Sequence, residues 1–209
     1  MDELLEIIHS SEFRESGGTV DLAGARMEGD ILILSVNLIS DSVEDEDQAW
    51  EVECAGVLDH NLTLGNCRDF SLHDDHHPLL WQYIHPECSV SFHGDCSNAE
   101  AIVGAIYNRH IELVGNSIPF NTFLNGNPVD IVRGRYGMFA TGPAPLMEGY
   151  AGVFEHAGIK AGVSEPRQVS FTSDPFTDSS ALEVLVLGDR SYVVAQKFNA
   201  NRSEDRWDS

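Results

Sequence analysis

The hydrophobic positions of the first forty residues change from a helical period to a strand period. A short amphipathic helix is predicted over residues 2–9, where apolar side chains recur at helical spacing at Leu4, Leu5 and Ile8. Apolar and polar residues alternate over much of residues 19–40, and Glu28-Gly29-Asp30 interrupts the pattern as a turn. This predicts a hairpin. Its second strand, starting at Ile31, is apolar on both faces and should lie centrally in a sheet.

Further strands are predicted on both sides of the middle of the chain. The alternating Trp50, Val52 and Cys54, residues 62–72 and residues 88–93 have the strand pattern and are separated by short polar turns. Such a succession is typical of an antiparallel meander. Near the C-terminus the sequence predicts a short strand at 169–171 and a hairpin of residues 182–187 and 192–198.

Two main helices are predicted. Ser97 and Glu100 have the spacing of a capping box, and the following apolar residues keep the helical period until Gly115. This helix should pack on the sheet through Ile102, Val103, Ile106 and Leu113. The second helix should begin at Pro143 or Pro145 and end before Gly158. Residues 117–142 are rich in Gly, Pro and Asn and should be irregular, with one or two short extended pieces.

These patterns together predict an α+β fold. We expect an antiparallel β-meander sheet of about seven strands packed against two main helices. Hydrophobic residues make up 42% of the 209 residues, which is enough apolar material for a core. Since no linker-like segment divides the chain, residues 1–198 should form a single α+β domain, followed by a flexible tail over 199–209.

The charge is the most unusual bulk property. The chain has 34 Asp and Glu residues against 12 Lys and Arg residues, a net charge of −22. Such a charge repels phosphate backbones and anionic lipid, so direct binding of nucleic acid or membranes is not expected. It attracts a basic protein, although acidity also serves solubility alone. The acidic N-terminus, and the lack of an apolar run of membrane-spanning length, predict a cytoplasmic protein whose four cysteines are free thiols.

Candidate partner-binding residues follow from this charge. A run of five carboxylates in residues 41–47 must be solvated, because unpaired charges are costly to bury. We expect it to form a loop that faces a basic partner. Exposed aromatic side chains often anchor interfaces, so three aromatic residues are added to the acidic ones. The predicted contact residues are Glu44, Asp45, Glu46, Asp47, Trp50, Trp81 and Tyr83.

The segment His73-Asp74-Asp75-His76-His77 concentrates metal-ligand side chains. Two or three imidazoles with a carboxylate can bind zinc or iron, and His73, His76 and His93 are the candidate ligands. His85 is a further candidate. The spacing matches no established zinc motif, so a solvated turn between strands is the alternative interpretation.

Three other features carry weaker chemical hypotheses. Cys96 precedes the main helix, where the helix dipole lowers a thiol pKa, and His93 is a candidate base; a packed apolar cysteine is the alternative. His110 lies on the apolar face of the same helix and should be a hydrogen-bonded core residue. Arg133 and Arg135 could hold an anion, but in so acidic a chain internal ion pairs are the favoured interpretation.

The sequence therefore favours an acidic intracellular protein-binding domain, in the manner of an inhibitor or immunity protein. The alternative is a metal-dependent hydrolase that uses the histidines of residues 73–93. A structural subunit of a larger assembly is a third interpretation. The size, charge and compartment support the first hypothesis only by analogy, because function has to be argued from a site.

Overall fold

A computed structural model describes residues 1–40, 47–74, 76–167, 182–188 and 190–203. These residues form six α-helices and twelve strands, and every strand pair is antiparallel. The predicted α+β class with antiparallel sheet and packed helices is confirmed. The strands are divided among three sheets of five, four and three strands, rather than forming one meander.

The chain divides into two compact units. The first contains Met1–His77 and Ser180–Ser209, and the second contains Pro78–Ser179, which is inserted in the sequence of the first. A single folding domain over 1–198 stays a prediction.

The first unit contains two helices and nine strands among its described residues. The helices are α1 (Asp2–His9) and α2 (Ser11–Glu15). One sheet has the order β12-β3-β2-β1-β5, and the other has the order β4-β11-β10-β6. The strands are β1 (Thr19–Glu28), β2 (Ile31–Ile39), β3 (Gln48–Ala55), β4 (Asp59–Asn61), β5 (Gly65–Cys67), β6 (Ser71–His73), β10 (Glu183–Val186), β11 (Tyr192–Ala195) and β12 (Lys197–Arg202).

The strands β1, β2 and β3 form the meander that the hydrophobic pattern predicts. Glu28 pairs with Ile31 across the turn, where Gly29 has a φ of 61°. β2 is central, and its residues 32–36 are all buried. This confirms the central position inferred from its two apolar faces. A register shift at 22–24 places one extra residue in β1.

Residues 59–73 differ from the single strand predicted over 62–72. They form the three short strands β4, β5 and β6, which belong to two different sheets. The polar Gly65-Asn66 pair interrupts the apolar run, and Gly65 has a φ of 112° that breaks a continuous strand. The meander therefore ends at β3.

The C-terminal segment changes sheets at Gln196. The hairpin β10–β11 is confirmed, but β11 ends at Ala195 and β12 begins at Lys197 in the other sheet. Gln196 donates its backbone N–H to the Ala55 carbonyl at 3.1 Å. The tail predicted from 199 is wrong for residues 199–202, because β12 pairs with β3 as far as Arg202.

One core joins the two sheets of the first unit. Leu4 and Ile8 of α1 pack with the apolar face of the β1–β3 meander and with β10 and β11. The largest buried side chain is Trp50, which is 1% exposed. Full burial of an aromatic side chain contributes about 2–3 kcal/mol.

The second unit contains four helices and three strands among its described residues. A 3₁₀ turn precedes α3 (Trp81–Ile84), and the longer helices are α4 (Ala99–Val114) and α6 (Ala144–His156), with the short α5 (Pro128–Arg133) between them. The sheet has the order β8-β7-β9, formed by β7 (Glu87–His93), β8 (Tyr136–Pro143) and β9 (Lys160–Val163). Sequence reasoning missed α5, whose signal is the Asn127 cap followed by Pro128.

Both predicted main helices are confirmed, with two corrections to α4. It packs mainly on α6 and α5, whereas it was expected to pack on the sheet. The start of the helix also differs. Asn98, not Ser97, is the cap, and its side chain accepts a hydrogen bond from the Ala101 N–H at 3.1 Å. Ile106 is fully buried, whereas Ile102 and Val103 are only half-buried. α6 packs on the sheet through Phe154, whose ring stacks on Phe92 at 4.6 Å.

The predicted strand at 169–171 and the acidic residues 41–46 lie outside the described residues. Asp75 of the histidine-rich segment also lies outside them.

Candidate functional site

The negative charge is concentrated in the first unit. That unit contains 24 Asp and Glu residues against 7 Lys and Arg residues, a net charge of −17. The second unit has 10 against 5, a net charge of −5. Electrostatic attraction of a cationic partner is therefore a property mainly of the first unit.

A groove of about 470 Å³ lies in this unit between its N-terminal helices and one end of its central strands. Two helices and two strands supply the lining. Its residues are Glu3, Glu6, Ile7, Ser10, Glu12, Phe13, Leu38, Ser40 and Gln48.

Local sequence fixes the helical wall of this groove. Glu3, Glu6 and Ile7 are spaced so that they share one face of α1, and Ser10 follows directly after the helix. The Ser10 hydroxyl donates to the Ile7 carbonyl at 2.7 Å and accepts from the Phe13 N–H at 3.1 Å. Ser10 thus joins the end of α1 to the start of α2 as its cap.

Gly18 lets Phe13 take its position on the groove. A Cβ at Gly18 would lie 2.4 Å from the Phe13 carbonyl oxygen and 2.6 Å from its ring. The Gly18 N–H donates to the same carbonyl at 2.8 Å. A larger residue at 18 would displace Phe13 from the groove.

The groove combines an apolar floor with an acidic rim. Leu38 is buried, and Ile7 and Phe13 are half-buried. The three rim residues Glu3, Glu6 and Glu12 are exposed, and no described residue forms an ion pair or hydrogen bond with their carboxylates.

Two other glutamates of this unit share one cation. Arg26 pairs with Glu28 and with Glu51, in each case at 2.9 Å. Its two carboxylate partners raise the pKa of the guanidinium further. Among the described residues no such cation pairs with the three glutamates of the groove, so their charge is open to an incoming group.

The two residues that flank the predicted acidic loop line this groove. Ser40 and Gln48, at the ends of β2 and β3, both line it, and the acidic run 41–47 joins them in the sequence. Asp47 is exposed, as predicted. Glu44, Asp45 and Glu46 lie outside the described residues.

The expected exposure of the aromatic residues needs one correction. Trp50 is a core residue, because its position on β3 faces the sheet interior, and its indole N–H donates to the Gln48 side chain at 3.3 Å. Trp81 and Tyr83 are half-buried on α3 of the second unit. The ring of Trp81 meets His85 edge-on at 5.8 Å.

The structure separates the candidate metal ligands between the units. His73 and His76 are exposed in the first unit, whereas His93 is exposed on β7 of the second. The His73 ring nitrogen lies 2.9 Å from the Ser71 hydroxyl, and its ring lies 4.9 Å from His77. Within the described ranges no three His, Cys, Asp or Glu residues are placed to hold a metal ion. The zinc or iron site stays a prediction.

The environment of Cys96 opposes the nucleophile hypothesis. The side chain is 7% exposed, and its sulfur lies 3.6 Å from the Gly94 carbonyl oxygen. Burial and the neighbouring Asp95 charge raise the pKa of the thiol, although Arg135 opposes them. The expected lowering of this pKa is wrong, because the desolvation of the thiolate is the largest contribution.

His110 is a hydrogen-bonded core residue, as predicted. Its Nε2 lies 2.7 Å from the Ile118 carbonyl oxygen, and its Nδ1 lies 2.7 Å from the Tyr150 hydroxyl. Burial lowers the pKa of His110, and the Ile118 hydrogen bond opposes this in part. The residue therefore links α4, α6 and the segment after α4 without facing a site.

The two arginines at the C-terminal end of α5, Arg133 and Arg135, form the predicted internal ion pairs. Arg133 is bonded to Glu100, and Arg135 lies 4.0 Å from Asp95. A backbone hydrogen bond at the start of the helix is the largest cause that lowers the pKa of Glu100, and the hydrogen bond and charge of Arg133 lower it further. The anion-binding alternative receives no support from this geometry.

A larger groove of about 760 Å³ runs between α4 and α6 of the second unit. Small residues such as Ala101, Ala105 and Gly152 line it, and both signs of charge occur among its residues, with Asp95 and Glu148 against Arg109. Arg109 is paired with Glu112 at 3.0 Å. This groove selects no ligand charge, so the smaller acidic groove is the candidate functional site.

Comparison of the chain with models of protein families, with curated proteins and with solved structures finds no match. No helix in the described parts of the chain is both long enough and apolar enough to cross a membrane.

Proposed function

We propose that the chain is an acidic protein-binding domain that recognises a basic surface on another protein, in the manner of an inhibitor or immunity protein. One observation carries the proposal: Glu3, Glu6 and Glu12 line a groove without any cationic partner among the described residues. The same groove is lined by Ser40 and Gln48, the two residues that flank the acidic run 41–47 in the sequence.

The main effect of this charge is on association. A strongly charged surface steers an oppositely charged protein, and it raises association rates from about 10⁵–10⁶ to as much as about 10⁸–10⁹ M⁻¹s⁻¹ at low salt. The effect weakens as salt rises, because the Debye length falls to about 8 Å at physiological ionic strength. A complex of this kind should form quickly and depend strongly on salt.

The apolar floor adds a contribution that salt does not screen. Each 100 Å² of apolar surface removed from water contributes roughly 2–3 kcal/mol before the costs of association. Ile7 and Phe13 are the half-buried side chains that offer such surface. Contacts of Trp81 and Tyr83 with the partner stay a prediction.

The first experiment identifies the partner. Full-length tagged protein is purified at low and at high salt, and the co-eluting proteins are identified and quantified by mass spectrometry. The proposal expects a basic protein in stoichiometric amount that is lost at high salt. Stoichiometric zinc or iron in the same sample, with no such partner, would favour the hydrolase instead.

A further inference from the structure

We infer that the acidic groove receives an arginine side chain and an adjacent apolar side chain that project from the folded surface of the partner. This inference rests on the proposed function and specifies the chemistry that the partner must present. It is carried by the volume of the groove, by the spacing of Glu3 and Glu6, and by the apolar floor.

The volume of the groove suits side chains. Pockets that hold small ligands have volumes of about 300–1,000 Å³. The groove offers about 470 Å³. It therefore has room for a few side chains of the partner.

The positions of Glu3 and Glu6 favour arginine over lysine. Residues three apart on a helix have Cβ atoms about 5–6 Å from each other, so both carboxylates can reach one planar guanidinium. A guanidinium has five N–H donors in a fixed fork, whereas an ammonium is a compact point charge. Glu12 lies in the first turn of α2, on the other side of Ser10, and adds a third acceptor.

The floor requires an apolar neighbour of that arginine. Ile7, Phe13 and Leu38 present carbon surface between the carboxylates and the strand ends. The methylene groups of an arginine cover part of such a surface, and an adjacent leucine or similar side chain covers more. A partner segment with charged side chains alone would leave part of this apolar floor exposed to water.

Three short peptides test the inference by nuclear magnetic resonance on the full-length, ¹⁵N-labelled protein. The probes are acetyl-Arg-Leu-Arg-amide, acetyl-Arg-Gly-Arg-amide and acetyl-Lys-Leu-Lys-amide. We expect the first to bind at least about threefold more tightly than either of the others. The largest shifts should occur at the groove-lining residues 3, 6, 7, 12 and 13.

A matched pair of variants controls for net charge. E3Q/E6Q should weaken the binding of the first peptide at least about fivefold, whereas D30N/E53Q, which removes the same charge from the same unit, should weaken it less than about twofold. Asp30 lies in the β1–β2 turn and Glu53 on β3, and neither residue lines the groove.

Equal binding of the three peptides, shifts elsewhere, or no binding by any peptide would overturn the inference. Each of these results would leave the proposed function intact as long as a stoichiometric basic protein co-purifies at low salt. The absence of that protein would overturn the proposed function itself.

Discussion

Replacing Tyr150 by Phe removes one hydroxyl from the core of the second unit. The Tyr150 oxygen lies 2.7 Å from His110 Nδ1, and both side chains are 0% exposed. The Ile118 carbonyl can only accept, so His110 Nε2 carries the proton and the neutral ring accepts at Nδ1 from the Tyr150 hydroxyl. Y150F leaves that nitrogen buried without its donor.

The magnitude follows from the burial of this pair. A lost hydrogen bond that leaves a buried acceptor without a donor costs about 1–3 kcal/mol. Bulk water does not reach the ring to replace the donor, because His110 is 0% exposed. Urea unfolding of the full-length protein at neutral pH measures the loss. Y107F is the matched control, because Tyr107 is 46% exposed and should lose under about 0.5 kcal/mol. If Y150F loses no more unfolding free energy than Y107F does, the Tyr150 hydroxyl does not stabilise the fold through His110.

The same pair predicts a pH dependence with a definite sign. Burial lowers the pKa of His110 in the folded protein below its unfolded value of 6.5. At acidic pH the unfolded chain therefore binds a proton more readily than the folded chain does. The contribution of the neutral His110 to the free energy of unfolding is fully present above pH 6.5 and is lost as the pH falls below it. The difference in unfolding free energy between wild type and H110N should therefore shrink as the pH falls from 7.5 to 5. A constant difference would contradict the assigned protonation state.

Three further predictions test the packing and the metal hypothesis. I106A should lose about 2–5 kcal/mol of unfolding free energy, because Ile106 is 0% exposed; a loss under 0.5 kcal/mol in urea would mean that this helix face is not packed. G152A should stabilise α6 by up to about 1 kcal/mol, because a Cβ at this position meets nothing within 4 Å. G149A should stabilise the helix less, because its Cβ would lie 2.5 Å from Leu113. The melting temperature of G152A should therefore be higher than that of G149A. Protein purified without chelator should contain under about a tenth of an equivalent of zinc or iron by elemental analysis, and any metal bound by the hypothetical site should be lost in H73A or H76A.

Local patterns in the sequence were sufficient for most of the secondary structure. α4, α6, the β1–β2 hairpin and the β10–β11 hairpin each have a complete set of period, cap or turn signals within one short segment. His110 could be predicted as a core residue for the same reason, because its helical position alone places it on the apolar face.

Features that depend on distant parts of the chain could not be predicted in this way. The burial of Trp50 is a different case, because its alternation with Glu51 and Glu53 already places it on the apolar face of β3 together with Val52 and Cys54. Residues 59–73 supply strands to two sheets. The chain also changes from one sheet to the other at Gln196, and the hydrophobic pattern on either side of this residue does not indicate the change.

The candidate groove has a similar explanation. Its acidic rim comes from α1 and α2. In the sequence alone, the glutamates of these helices have the pattern of an ordinary polar helix face. The acidic run 41–47 was identified because its residues are consecutive. That Ser40 and Gln48 lie beside those glutamates follows only from the packing of α1 on the meander.

Association kinetics with the co-purified basic partner measure whether the groove and the acidic run attract that partner. The rate constant is measured against ionic strength for wild type, for the acidic-run variant E44Q/D45N/E46Q/D47N, for the groove variant E3Q/E6Q/E12Q and for the control E15Q/D30N/E53Q. The acidic-run variant and the groove variant should both associate at least about fivefold more slowly than wild type at low salt, and their rates should depend less steeply on salt. The association rate of the control should change less than about twofold. Equal rates and equal salt slopes for all four proteins would contradict this prediction.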